Sequence, residues 1–131
     1  LYPKEFKPFD QAAIESAFLK MLTAPNTFAF IAKEGETAIG YLFCFIRTRK
    51  ENAFQFEKTW LNIDQVSVMP EYRNRGVAQQ LLQRAEQLAH NKGIQRLQLD
   101  HWAQNEVAAQ FFARNGFSYF NHRMEKKLKA V

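Results

Sequence analysis

Three segments of the chain carry apolar residues at the three- and four-residue spacing of an amphipathic helix. The first segment follows Asp10, a candidate N-cap, and stops before Pro25. The second segment, which has the most regular apolar stripe, begins after Gly76 and ends before Gly93. The third segment begins after Asn105, whose short polar side chain also suits an N-cap. This spacing predicts three helices.

Shorter apolar runs between and after these helices have the length of strands. Two of them, residues 27–33 and 38–47, flank a turn and predict a hairpin. The second is almost wholly apolar, which is typical of a strand covered on both faces. Together with the helices, the runs predict one domain, residues 1–131, with a mixed α/β (α+β) fold whose mostly antiparallel central sheet is flanked by helices. The predicted strands are residues 27–33, 38–47, 60–68, 96–99, 117–120 and 122–128.

The apolar residues of the third predicted strand change phase in its middle. Leu61 and Ile63 occupy odd positions, whereas Val66 and Val68 occupy even ones. One face of a regular strand cannot hold both pairs, because successive side chains alternate between the faces. A β-bulge at residues 64–65 resolves the conflict, and burial on both faces is the alternative. Bulges are frequent beside active sites, and we favour the bulge.

Composition and charge narrow the class of protein. Apolar residues make up 47% of the 131 residues and charged residues 24%, the balance of a folded globular domain. The net charge of +5 favours an anionic partner, which a phosphorylated cofactor, a nucleic acid or an acidic surface would each satisfy. Cys44 is the single cysteine and the histidines lack ligand-like spacing, so we expect no disulfide, no metal and a cytoplasmic location. The longest apolar run, residues 38–46, is too short to span a membrane as a helix.

The turn that leads into the second helix is the strongest candidate for chemistry. Residues 73–78 read Arg-Asn-Arg-Gly-Val-Ala, which places a glycine where a loop after a strand enters a long helix. Backbone N–H groups in a first helical turn have no internal partner, and a residue without a side chain lets phosphate oxygens reach them. Arg73 and Arg75 would add charge-assisted contacts. The alternative is a glycine that only permits a tight turn, with both arginines solvated.

Two blocks of sequence resemble the GNAT N-acetyltransferase superfamily. The first block matches the superfamily's acetyl-CoA signature, whose core is Gln/Arg-x-x-Gly-x-Gly/Ala, and the second follows after the expected helix and strand. The first block consists of Val66, Val68, Pro70, Glu71, Tyr72, Arg73, Gly76, Ala78, Leu81 and Leu82. The second block consists of Asn105, Ala108, Phe111, Phe112, Gly116 and Phe117.

The resemblance implies acetyl-CoA as the co-substrate and a place for each part of it. Backbone amides of residues 74–78 would hold the pyrophosphate, and the pantetheine arm would lie along residues 66–68, where the neighbouring strand splays away. The bulge would supply an N–H group that polarises the thioester carbonyl. The implied cofactor-binding residues are Val66, Ser67, Val68, Arg73, Asn74, Arg75, Gly76, Val77, Ala78, Asn105, Ala108, Phe112 and Arg114.

The activity that the resemblance implies is transfer of an acetyl group to a primary amine of a small molecule or peptide, by direct attack in a ternary complex. A base must take a proton from the amine, and Asp64 occupies the slot where many members keep a glutamate. The alternative for Asp64 is a solvated strand residue. Members commonly place a proton-donating tyrosine where this chain has Phe112. Either another group such as Tyr119 replaces that donor, or water does, or the enzyme is slow.

These departures leave a second hypothesis beside the enzyme, a non-catalytic acyl-CoA-binding or regulatory module. Nucleic-acid binding is not expected, because the arginines are scattered and no RNA or DNA motif accompanies them. The superfamily's first strand and helix have no counterpart in residues 1–9. Either they were removed, or the strand that begins at Thr27 forms an exposed edge, which invites pairing with another chain and would allow a homodimer.

Overall fold

The computed structural model describes residues 11–101 and 105–129. They fall into two compact units, one ending at Asp100 and one beginning at His101. The prediction that the superfamily's first strand and helix are absent concerns residues 1–9, which lie outside the described residues. The helices are α1 (Gln11–Met21), α2 (Val77–Asn91) and α3 (Glu106–Arg114), and the strands are β1 (Thr27–Glu34), β2 (Thr37–Arg49), β3 (Lys58–Val68) and β4 (Leu97–Leu99).

All three predicted helices are confirmed, and two of the predicted end signals are seen in atomic detail. The side-chain oxygen of Asn105 accepts a hydrogen bond of 3.0 Å from the backbone N–H of Ala108, so Asn105 is the N-cap of α3. α2 ends at Asn91 with Lys92 as its C-cap, and Gly93 follows with a left-handed φ of 70°. The predicted cap of α1, Asp10, lies outside the described residues.

Four of the predicted strands are confirmed with ends that move by two residues or fewer, but the final pair is wrong. Residues 117–120 and 122–128 form no strand. After α3 the chain turns back on the helix instead, because the backbone N–H of Phe117 donates to the carbonyl oxygen of Phe112 at 3.0 Å. The apolar side chains farther along, such as Met124 and Leu128, are exposed. Apolar residues stabilise a strand only where they can pack against a neighbouring strand and a core.

The four strands form one mixed sheet in the order β1-β2-β3-β4. β2 pairs with β1 and with β3 in antiparallel fashion, whereas β4 pairs with β3 in parallel. α2 connects β3 to β4 and packs against β1, β2 and β3. The mixed α/β fold with a mostly antiparallel sheet is therefore confirmed. The buried residues of α2 are Leu81, Leu82, Ala85 and Ala89.

The centre of the core lies on β2. Leu42, Phe43 and Cys44 are consecutive and nearly inaccessible to solvent, although successive side chains on a strand point to opposite faces. Both faces of β2 are therefore covered, as its apolar run predicted.

The ladder between β2 and β3 contains the predicted β-bulge. Cys44 pairs with Ile63, whereas its neighbour on β2 pairs with Gln65, which leaves Asp64 as the extra residue. The extra residue returns Val66 to the face that Ile63 occupies. The apolar residues on both sides of the bulge can therefore face the same core.

β3 and β4 stay paired over a short stretch only. The ladder runs from Leu61 with Leu97 to Ile63 with Leu99. β3 itself continues to Val68, so the side of β3 that faced β4 has no strand partner beyond the bulge among the described residues. The ladder thus ends where β4 itself ends, and the edge of β3 beyond the bulge lies next to the turn before α2.

Candidate functional site

The turn that joins β3 to α2 contains two residues with left-handed backbone. Asn74 has a φ of 62° and Gly76 a φ of 78°. Glycine adopts this region freely, and asparagine adopts it more readily than most other side chains do. A Cβ added to Gly76 would meet no atom within 4 Å, so the space above this residue is open. Sequence reasoning identified Gly76 and missed the left-handed Asn74, for which an asparagine two residues before a glycine was the available signal.

The backbone N–H groups of residues 74–79 donate to no acceptor within the described residues. The first bond of α2 runs from the N–H of Gln80 to the carbonyl oxygen of Gly76 at 3.1 Å, and no side chain caps the helix. Unpaired N–H groups at a helix N-terminus carry a partial positive charge and bind anions. The turn therefore presents a set of unpaired donors beside the open space at Gly76.

The two arginines of the turn are held in different ways. The Nε of Arg73 donates to the carbonyl oxygen of Val68 at 3.2 Å, which ties the turn to the end of β3. The guanidinium of Arg75 lies 5.3 Å from the centre of the Tyr72 ring. Arg75 is exposed and forms no hydrogen bond to a described residue, so its donors are available to an anion. The structure thus gives Arg73 a structural role, and its cofactor-binding role stays a prediction.

Gly40 on β2 lets the start of α2 approach the sheet, which sequence reasoning did not foresee. A Cβ at this position would lie 3.0 Å from the backbone oxygen of Ser67 and 3.3 Å from Cγ1 of Val77. A larger residue would push the first turn of α2 away from the strand edge. A glycine inside an otherwise apolar strand was the signal for this close approach.

Of the other predicted residues on these two elements, those at the strand edge and in the first helical turn are partly accessible. Val66, Ser67, Val77 and Ala78 are half-buried, and Val68 is buried. The edge and the N–H groups belong to adjoining parts of one unit. The unit therefore brings together the residues that were predicted to hold the pantetheine arm and the pyrophosphate.

Asp64 is exposed at the bulge, where it is the residue without a partner on β2. It forms no hydrogen bond or ion pair with the described part of the chain. The side chain of the next residue, Gln65, accepts a hydrogen bond of 3.1 Å from the hydroxyl of Tyr41. An exposed carboxylate at a bulge is accessible to water and to an incoming amine, and its role as a base stays a prediction.

The remaining predicted cofactor residues lie on α3, in the unit that begins at His101. The side-chain oxygen of Asn105 is engaged in capping the helix. Ala108 is half-buried, and Arg114 is exposed in the last turn. Phe112 is buried against Phe111 and Phe117, with ring centres 5.4 and 5.6 Å apart. Their contribution to cofactor binding stays a prediction.

The same unit contains an aromatic cluster in which His101 lies between the hydroxyl of Tyr119 and the ring of Phe112. His101 stacks on Phe112 with ring centres 6.2 Å apart and an angle of 24° between the planes. The Nε2 atom of His101 lies 2.8 Å from the hydroxyl oxygen of Tyr119, within hydrogen-bond distance. Tyr119 also stacks on His122 at 5.9 Å. His101 thus contacts both Tyr119, which was predicted as one possible proton donor, and Phe112, which lacks a hydroxyl.

The remaining groups to consider are the single cysteine, possible metal ligands and possible membrane-spanning helices. Burial raises the pKa of the Cys44 thiol from 9.0 to about 12, so this cysteine is a buried apolar residue rather than a nucleophile. Within residues 11–101 and 105–129, no three side chains of His, Cys, Asp or Glu come together as metal ligands. In that same part of the chain, every helix is too short or too polar to cross a bilayer.

These features define a mixed α/β domain in which a helix N-terminus with unpaired N–H groups follows a bulged strand. The model of the acetyltransferase (GNAT) family matches residues 1–117. The chain therefore belongs to the acetyltransferase (GNAT) family, as the two sequence blocks indicated.

Individual relatives agree with this membership. N-alpha-acetyltransferase 30 of Schizosaccharomyces pombe is 29% identical over 90 residues, which cover 69% of this chain and 57% of the relative. The chain thus matches less than two thirds of that relative's length. A tetramutant of the BH1408 protein from Bacillus halodurans has a TM-score of 0.81 at 17% identity, over 86% of this chain and 73% of that chain. The aminoglycoside N-acetyltransferase AAC(6')-Iy in complex with CoA has a TM-score of 0.74 at 23% identity, over 91% and 88%. At these identities, the two structures show a shared fold.

Proposed function

We propose that this protein is an acetyl-CoA-dependent N-acetyltransferase that acetylates a primary amine of a small molecule or peptide. The observation that carries the proposal is the set of unpaired N–H groups at residues 74–79, directly after an open strand edge. Membership in the acetyltransferase (GNAT) family supports acetyl-CoA as the co-substrate. The Schizosaccharomyces pombe relative supports a peptide amine, and the aminoglycoside enzyme supports a small-molecule amine.

The residues present fit a diphosphate that is linked to an extended arm. The N–H groups of residues 74–78 would bind the pyrophosphate oxygens, and Arg75 would add a charge-assisted contact. Residues 66–68 would pair with the amide groups of the pantetheine arm, as an added strand pairs with a sheet edge. The residues of α3 proposed for further contacts are Asn105, Ala108, Phe112 and Arg114.

The proposed reaction is a direct transfer. The amine nitrogen forms a bond to the acetyl carbonyl carbon, and the carbon–sulfur bond breaks, which releases CoA. Asp64 accepts the proton of the amine, directly or through one water, which its exposed position at the bulge permits. An N–H group of the bulge would stabilise the negative charge that develops on the carbonyl oxygen.

The CoA thiolate must also receive a proton, and Phe112 has none to give. The hydroxyl of Tyr119, held by His101, is one donor, and water is another. If water is the donor, the reaction still proceeds, because a thiolate is a good leaving group near neutral pH, but its rate is lower by about 10²–10⁴.

The first experiment measures release of free CoA thiol from acetyl-CoA in the presence of amines. The panel contains short peptides with free N-termini, aminoglycosides, polyamines and free lysine. Thiol release that depends on one class of amine supports the enzyme and identifies the acceptor class. If the protein binds acetyl-CoA but releases no CoA thiol with any amine, the result favours the second candidate, a non-catalytic acyl-CoA-binding module. The absence of a hydroxyl at Phe112 is the observation that supports this candidate.

A second experiment tests the base. The variant Asp64→Asn should lower kcat by about 10²–10⁴ while the Kd for acetyl-CoA stays unchanged, because only the proton acceptor is lost. Glu36→Gln, which removes a carboxylate from the exposed turn between β1 and β2, is the matched control and should have wild-type turnover. Unchanged turnover in Asp64→Asn would remove Asp64 from the mechanism.

A further inference from the structure

A cavity of about 730 Å³ lies at the end of the sheet away from the turn before α2. Its walls come from the end of β2, the start of β3 and the segment that follows α2. α2 begins at the proposed pyrophosphate site and ends at this cavity, and its length of about 20 Å separates the two. A ligand in the cavity would therefore not touch the N–H groups of residues 74–79.

Four cationic side chains and one carboxylate line the cavity among the described residues. The cations are Arg49, Lys58, Lys92 and Arg96, and the carboxylate is Glu57. The arrangement leaves an excess of positive charge inside a concave wall, which attracts anions. The carbonyl end of α2 opposes an anion, but the N–H groups after the helix already bond the carbonyls of residues 88–90 and reduce that effect.

The cations of the cavity lie close enough to repel one another. Lys58 is half-buried, and desolvation followed by repulsion from Arg96 and Arg49 lowers the pKa of its ammonium. Nη2 of Arg49 donates to the carbonyl oxygen of Phe56 at 3.1 Å. Its Nε is buried and has no hydrogen-bond partner among the described residues. A buried donor without an acceptor destabilises the fold, and an anion in the cavity would relieve the repulsion.

The cavity also has an aromatic wall. Phe56 lines the cavity and is 84% exposed, so its side chain is accessible to a ligand. Lys58 and Lys92 lie over other rings, those of Trp60 at 5.1 Å and Phe28 at 5.5 Å, which holds the two ammonium groups in place. Fixed cations beside an exposed ring match a ligand with a phosphate at one end and an aromatic group at the other.

We propose that this cavity binds a phosphorylated small molecule that carries an aromatic group, of the nucleotide class, at a site separate from the one proposed for acetyl-CoA. The guanidinium of Arg96 and the ammonium groups of Lys58 and Lys92 bind the phosphate, and the ring of Phe56 stacks on the aromatic group. Glu57 accepts hydrogen bonds from the remainder of the ligand.

The test uses ADP as the probe in calorimetric titrations at low ionic strength, with CoA present in saturating amount so that the turn at residues 74–79 is occupied. We expect one ADP per chain. Arg96→Gln should weaken ADP binding about tenfold, because one charged hydrogen bond is lost. Arg84→Gln, on the exposed face of α2 and outside the cavity, is the matched control and should bind ADP as the wild type does.

Four results would overturn the proposal. These are no ADP binding in the presence of CoA, equal ADP affinity in Arg96→Gln and Arg84→Gln, equal affinity for inorganic pyrophosphate and ADP, and binding of single-stranded RNA without binding of ADP. If circular dichroism shows that Arg96→Gln does not fold, Lys92→Gln replaces it. If the protein fails to bind CoA, the acetyltransferase proposal falls, and the comparison of the cavity variants still decides this one.

Discussion

Gly76 offers the sharpest test of the proposed pyrophosphate site, because the residue is strained for any side chain yet surrounded by open space. Its φ of 78° lies in the left-handed region, and an added Cβ would meet no protein atom within 4 Å. Gly76→Ala therefore adds a methyl group within the turn that carries the unpaired N–H groups, without disturbing the packing of the free protein. If the pyrophosphate binds as proposed, the methyl group takes volume that its oxygens need.

The substitution should lower the stability of the fold slightly and weaken CoA binding strongly. An L-residue in the left-handed region costs about 1–2 kcal/mol, which the lower entropy of the unfolded chain offsets in part. A net loss of about 1 kcal/mol lowers the Tm of a domain of this size by about 4 °C. In the complex, the methyl group removes roughly two charge-assisted N–H contacts at about 1.5 kcal/mol each, which raises the Kd for CoA about 100-fold.

Gly35→Ala is the matched control for Gly76→Ala. Gly35 has a φ of 61° in the turn between β1 and β2, and an added Cβ there also meets no atom within 4 Å. Both variants should show the same small loss in a thermal unfolding scan, whereas calorimetry with CoA should show the loss of affinity in Gly76→Ala alone. Equal CoA affinity in the two variants would refute the placement of the pyrophosphate at this turn.

Two further predictions concern buried side chains. Phe112→Tyr should raise kcat about 100-fold if no positioned acid exists in the wild type, and stopped-flow detection of thiol release measures it; an unchanged kcat would show that protonation of the thiolate does not limit turnover. Because the pKa of Cys44 is about 12 in the folded protein and 9.0 without burial, its contribution to the free energy of unfolding is complete below pH 9 and is lost as the pH rises toward 12. Urea unfolding across this range should therefore show a steeper decline for the wild type than for Cys44→Ala, and parallel declines would contradict the assignment.

The parts of the fold that the sequence predicted correctly are those decided by local chemistry. The cap at Asn105 and the stop at Gly93 each mark a helix end with a single residue. The bulge at Asp64 was visible because the apolar residues on its two sides belong to different phases of the two-residue repeat. Each of these signals acts over a few residues, so no knowledge of the tertiary fold was needed.

The parts that the sequence did not predict depend on contacts between distant segments. The apolar residues from Phe117 onward predicted a strand pair, but the chain packs back on α3 at Phe112. The close approach at Gly40 depends on Ser67 and Val77, which lie 27 and 37 residues farther along the chain. A glycine in a strand indicates a close contact but does not identify the partner.

A variant without the bulge tests whether the bulge serves folding or catalysis, because removal of one residue would make β3 a regular strand. Deletion of Gln65 moves Asp64 into the ladder position opposite Phe43 and leaves Ile63 and Val66 on the core face, so the free energy of unfolding should change by about 1 kcal/mol or less. CoA binding should persist, but turnover should fall to the background rate, since the bulge N–H is gone while the carboxylate remains. Deletion of Asn62 is the contrasting control and should prevent folding, because it moves Leu61, the buried residue that precedes it on β3, to the wrong face. Turnover in the first variant would show that the bulge serves packing alone, and failure of that variant to fold would show that the strand needs its extra residue.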